Sequence, residues 1–119
     1  MSTAEFVFDQ IDNGSITGVT FTVTLAECLV VPYRLGARRL QQDFLDLILY
    51  GNNTLFIKID GETGRRAAEL RARHNITLPD AIQIAGALVA GCEAFLTNDA
   101  TLKRVTDLSV ITLDEVSPP

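Results

Sequence analysis

The run Thr77-Leu78-Pro79-Asp80-Ala81-Ile82-Gln83-Ile84-Ala85-Gly86-Ala87-Leu88, followed a few residues later by Ala94-Phe95-Leu96-Thr97-Asn98-Asp99, decides the fold class. Thr77 with Pro79 and Asp80 behind it is a helix start, because a hydroxyl at the N-cap and a proline in the first turn suit amides that lack helical partners. Small apolar residues then continue to Ala90 with helical spacing, so this helix is expected to lie buried. Ala94 to Thr97 is a short apolar strand. One carboxylate, Asp80, opens the helix, and another, Asp99, stands just past the strand.

The same alternation extends in both directions. Upstream, Leu55-Phe56-Ile57-Lys58-Ile59 is a strand, and residues 62–73 form a polar-faced helix. Before it, Arg38 to Leu49 keeps a helical period and stops at Gly51-Asn52-Asn53. Ile16 to Thr24 is β-branched and strand-like, and Thr24-Leu25-Ala26-Glu27 has the form of a capping box opening a helix. Leu25, Cys28, Leu29 and Val30 supply the buried face of that helix. Residues 3–13 fit a short helix stopped by Gly14, and Val110 to Leu113 is the last strand. Strands alternating with helices predict an α/β domain with a mainly parallel sheet. A single domain is expected over residues 1–116, with 117–119 as a disordered tail.

Composition narrows the functional classes. The chain has 119 residues, 47% of them hydrophobic, enough for one core. Ten basic against 15 acidic side chains give a net charge of −5, which argues against a surface devoted wholly to nucleic acid. Two local arginine groups remain, Arg34, Arg38 and Arg39, then Arg65, Arg66, Arg71 and Arg73, readable as solvated helix faces or as phosphate-steering strips. Cys28 and Cys92 are too few for a disulfide framework and are expected to be buried thiols. No apolar run reaches membrane-spanning length and no secretory signal pattern is present, so a cytoplasmic protein with no membrane partner is expected.

The acids carry the chemistry. Hard divalent cations take oxygen ligands, and two or three convergent carboxylates can hold one. Glu27 and Asp99 both follow strands, where an open parallel sheet forms its ligand crevice, and Asp80 opens a helix. Each also has a purely structural role open to it: Glu27 as third residue of a box begun by Thr24, Asp80 likewise for Thr77, and Asp99 as cap of a helix near 100–105. His74 is the single histidine, expected at the surface of a helix end, so a histidine-rich metal site is excluded.

Four runs, Thr20–Glu27, Ala67–Ala72, Leu78–Ala85 and Phe95–Asp99, resemble in order the PIN-domain family, and among its members the VapC-like toxin ribonucleases of PilT N-terminus type. The resemblance covers residues 6–115. It implies an α/β/α sandwich and a Mg²⁺- or Mn²⁺-dependent endoribonuclease, the toxin of a toxin–antitoxin pair, with RNA as substrate and an antitoxin as protein partner. In that family the acids matching Glu27, Asp80 and Asp99 hold the metal, which activates water against a phosphodiester. Thr97 matches an auxiliary polar position beside the last acid.

The sequence departs from the family at its start. Members open with an apolar strand ending in Asp-Thr-Asn or Asp-Ser-Asn, whose Asp is a principal ligand, and neither tripeptide occurs here. Phe6-Val7-Phe8-Asp9 aligns better with the helix preceding the second strand, leaving Asp9 an auxiliary candidate only. The expectation is an N-terminally truncated PIN-like domain with an incomplete acid set and impaired turnover. Its alternative is an inactive remnant that binds another protein. The strand missing from between those near 19–23 and 94–97 is expected to be replaced by direct pairing, by N-terminal residues or by a second copy, a homodimer being favoured.

Overall fold

The computed structural model describes residues 3–116, so the expected tail at 117–119 lies outside the described residues. Among the described residues, five α-helices and four strands follow in the order α1 (Thr3–Asp12), β1 (Gly18–Phe21), α2 (Thr22–Leu35), α3 (Arg38–Tyr50), β2 (Thr54–Ile57), α4 (Gly61–His74), α5 (Leu78–Val89), β3 (Ala94–Thr97) and β4 (Ser109–Thr112). Short 3₁₀ helices follow β3 at Ala100–Arg104 and β4 at Leu113–Glu115.

Local chemistry sets the boundaries. Gly14 turns the chain out of α1 at φ +84°, a conformation that favours glycine. Asp60 caps α4 by accepting from the Thr63 amide at 3.0 Å and its hydroxyl at 2.9 Å, and Asn75 ends that helix in the left-handed region. Thr77 caps α5 as its sequence implies.

β1 pairs with β2 and β3 with β4, both in parallel, with Gly18 opposite Thr54 and Ala94 opposite Ser109. The two pairs are separate two-stranded sheets. Helix α5 packs against both β1 and β3. Among the described residues neither direct pairing nor an N-terminal strand joins the two sheets: β1 and β3 are not hydrogen-bonded as neighbours, and Thr3–Asp12 is helical.

Phe21 and Thr20 define the layers. The Phe21 ring lies against Gly86 of α5, where an added Cβ would fall 2.9 Å from its Cε1, while the Thr20 hydroxyl donates to the Ile48 carbonyl of α3. Consecutive strand residues point to opposite faces, so α5 and α3 cover opposite faces of β1. This is the expected α/β/α arrangement. The buried cluster of Ala67, Leu70, Ile76, Ala81, Ile84, Ala85, Leu102 and Val105 lies where α4, α5 and the 3₁₀ helix Ala100–Arg104 meet, with Phe95 and Val110 packed on it. Apolar side chains of α4, α5 and the β3–β4 sheet thus meet in one core.

Some local expectations change. The strand expected to reach Thr24 ends at Phe21, and α2 begins at Thr22. Val30, expected on the buried face of α2, is 44% exposed, and Pro32 is the helix's buried residue. Cys28 and Cys92 are free and half-buried rather than buried. His74 ends α4 as expected and is half-buried there, its side chain 15% exposed and its Nε2 3.2 Å from Asp107 Oδ1.

Candidate acidic site at the helix and strand ends

Helix α2 places Glu27. Because the helix starts at Thr22, Thr24 is its third residue rather than its cap, and the Thr24 hydroxyl oxygen accepts from the Phe21 amide at 3.4 Å. Glu27 is therefore past the first turn and is not the capping-box residue that the sequence suggested. Its carboxylate meets another helix instead. The Gln83 side chain of α5 donates from Nε2 to Glu27 Oε1 at 3.2 Å, and its Oε1 accepts from the Thr24 hydroxyl at 2.7 Å. One amide thus ties the start of α2 to α5.

Gln83 escaped the sequence reading. The available signal was its place three residues after Asp80, which puts both side chains on one face of α5. Which helix would cross that face was not legible.

Asp80 takes the structural role open to it: Thr77 donates its hydroxyl to Asp80 Oδ2 at 2.7 Å, and the Asp80 amide returns a bond to Thr77 Oγ1 at 3.4 Å. Asp99 likewise caps Ala100–Arg104, accepting at Oδ1 from the Thr101 amide at 2.9 Å and hydroxyl at 2.6 Å. The Thr101 bonds, hydroxyl first, hold the Asp99 carboxyl below its ordinary value, with the charge of Arg104 adding to them. Thr97 accepts from the Asp99 amide at 3.1 Å, fixing the turn by which the last acid leaves β3. Asp9 sits on an exposed face of α1, with no strand beneath it to carry it toward the other acids.

Gln83 joins Glu27 to the helix of Asp80, while Asp99 hangs from the second sheet. As donors, three carboxylates suit Mg²⁺ or Mn²⁺. Their placement does not: among the described residues no three His, Cys, Asp or Glu side chains lie close enough to hold one ion. Asp80 and Asp99 are committed to local hydroxyls and amides, and Glu27 is linked to an amide.

The second arginine group is largely paired with acids: Arg65 pairs with both Glu62 and Glu69, Arg66 with Glu62, and Arg73 with Asp107. In the first group Arg39 pairs with Asp43. The Cys28 thiol is pushed above its ordinary value by burial and then by the neighbouring Glu27 charge, and burial does the same to Cys92, so neither is an activated nucleophile. No helix among the described residues is long and apolar enough to cross a membrane.

Fold and site together define a three-layer α/β domain with acids at a helix start and past a strand. The PIN domain family model matches residues 2–108, and the chain belongs to that family. Among solved structures it is similar to VapBC2 from Rickettsia felis bound to a DNA fragment from their promoter, with 17% identity, a TM-score of 0.73, and coverage of 92% of this chain and 84% of that one. It is also similar to a toxin–antitoxin complex from Klebsiella pneumoniae, with 19% identity, a TM-score of 0.67 and the same coverage of each chain. At such identities these likenesses speak for the fold. No curated protein matches the chain.

Proposed function

We propose that this PIN domain is an endoribonuclease of the toxin class, acting in the cytoplasm, with Glu27, Asp80 and Asp99 as its acids and with activity weakened by their incomplete assembly. The supporting observation is the Gln83 bridge, which brings Glu27 of α2 to the face of α5 that begins at Asp80. Mg²⁺ or Mn²⁺ is the cofactor this reading requires, since it would neutralise phosphate and make water a nucleophile. The present spacing of the acids gives no basis for routing a step through it. What the chain's own groups supply is charge: each of these carboxylates repels a phosphodiester, so RNA approaches productively only when a cation offsets them.

The test is cleavage of end-labelled RNA by the purified chain with Mn²⁺, with Mg²⁺ and with EDTA, alongside Asp80→Asn. Cleavage that requires the ion and disappears in the variant is the expected result. EDTA-resistant cleavage, or full activity in Asp80→Asn, would sink the reading.

A second reading has its own observation. On α2 and α3, Val31, Tyr33, Leu35, Leu47 and Tyr50 are exposed, Leu35 at 70% and Tyr50 at 79%. Apolar side chains so placed suit a protein partner. In this reading the domain is a binding module, its partner an antitoxin-like protein or, as a homodimer, a second copy. Light scattering distinguishes a dimer from a monomer, and Tyr50→Glu should weaken whichever association occurs.

A further inference from the structure

Five of the ten basic side chains, Arg39, Arg65, Arg66, Arg73 and Lys103, pair with acids. An opposite charge meets each of them, which leaves little of their field for a ligand. Arg71 and Arg104 differ. Among the described residues neither lies in an ion pair, and each instead donates from Nη1 to a backbone carbonyl, Arg71 to Ile76 at 2.6 Å and Arg104 to Asn75 at 3.2 Å. A carbonyl fixes a guanidinium without cancelling its charge, and the other N–H groups of each fork stay free. Arg34, Arg38 and Lys58 are exposed too, but among the described residues they have no such anchor.

The two anchoring carbonyls are consecutive and belong to the turn between α4 and α5. Arg71 reaches that turn from the last turn of α4, and Arg104 from the 3₁₀ helix that follows β3. The next residue, Thr77, caps α5 and bonds Asp80. Asp99 caps the 3₁₀ helix that ends at Arg104, and its carboxyl feels the Arg104 charge in addition to its Thr101 bonds. Two uncancelled charges therefore stand on the turn from which the helix of Asp80 departs, and one of them shares a short helix with Asp99.

We propose that Arg71 and Arg104 form a phosphate clamp that holds the backbone of single-stranded RNA at the turn before α5. The identity of the strand rests on the ribonuclease reading, whereas the clamp itself is a binding device apart from the cleavage step. A guanidinium fork matches the paired oxygens of a phosphodiester, and a fork already anchored loses little freedom on meeting one. The chain has a net charge of −5 and its other arginines on α4 are paired, so no basic face is wide enough for a duplex. Two forks on one turn suit neighbouring phosphates of one strand. Contacts of this kind carry no sequence information, so the clamp gives affinity without base preference.

The test is fluorescence anisotropy of labelled oligouridylate with the purified chain in EDTA, across a salt series. Arg71→Gln and Arg104→Gln should each reduce the slope of log affinity against log salt by about 0.7, and together by about 1.4, as for lost phosphate contacts to a single strand. Oligoadenylate should give the same changes. Arg71→Lys and Arg104→Lys keep the charge and should keep the slope, which separates a clamp from mere bracing of the turn. Arg65→Gln, taken from between two acids, should leave it unchanged. On the unaltered chain, ¹⁵N NMR should show the side-chain resonances of Arg71 and Arg104 moving with added RNA and that of Arg65 still, a readout that holds whether or not the glutamine variants fold. An unchanged slope in the double glutamine variant, an equal fall in the lysine variants or in Arg65→Gln, still resonances, or no binding by the unaltered chain overturns the proposal. Cleavage with Mn²⁺ but no change of slope removes the clamp and keeps the ribonuclease, and changed slopes without cleavage do the reverse.

Discussion

Glu115 shows how a solvent-facing carboxylate acquires a fixed role. Lys103 bonds to it first, then the Thr112 hydroxyl and amide, and together they hold its carboxyl at about 2 against an ordinary 4.5. Asp99 and Asp107 are lowered too, by Thr101 and by Arg73 first. A carboxylate with a depressed folded pKa stabilises the native state fully above its unfolded pKa, and that contribution is lost as the pH falls through the folded one. Urea unfolding between pH 5 and 2 should therefore show stability falling with acid. For Glu115 the window is 4.5 down to about 2, and Lys103→Met should flatten the fall within it. The Thr77 cap gives a second check at this scale. Thr77→Ala removes both bonds to Asp80 and should lower stability by about 1 kcal/mol in chemical denaturation.

Helix α5 is the element on which the rest of the domain is arranged. Its face bearing Ala81, Ile84 and Ala85 builds the core with α4, while Gly86 receives Phe21 and Gln83 receives Glu27. Gly86 is there for close approach, because a methyl group would meet the ring at 2.9–3.1 Å from three of its carbons. Gly86→Ala should destabilise by roughly 1–3 kcal/mol through overpacking. Phe21→Leu in the same chain should return part of that loss, and a double-mutant cycle measures the coupling. Ile84→Ala leaves a cavity in the centre of the cluster and should cost about 2–5 kcal/mol. None of these three substitutions touches a candidate acid, so RNA cleavage per folded molecule should persist in each.

For the molecule as a whole, the core is unevenly shared. The large cluster draws on α4, α5 and the 3₁₀ helix after β3, with Phe95 and Val110 of the second sheet against it, whereas β1 and β2 reach the rest through Phe21, Thr20 and the helix pair α2–α3. Regions with fewer buried apolar contacts open at lower free energy. Amide exchange should therefore be slowest in α4 and α5 and faster in β1 and β2. Uniform protection across both sheets would contradict this account of where the stability resides.

The run from Thr77 to Asp99 determined much on its own. Capping chemistry, helical spacing and a short apolar strand are local signals, so α5, β3 and the caps made by Thr77 and Asp99 were legible before any packing was known. The order of helices and strands, and with it the α/β class, followed from the same kind of signal. The start of α2 was harder to read because β-branched Thr22, Val23 and Thr24 favour a strand. Only packing against α5 and the Thr24–Gln83 bond place them in a helix, and that single shift removed Glu27 from its capping role. Gln83 as a bridge and the spacing of the acids were likewise decided by tertiary structure. So was the division of the sheet into two pairs. Strand pairing and carboxylate convergence depend on contacts between residues far apart in the chain, and local propensity carries no information about which distant edges meet.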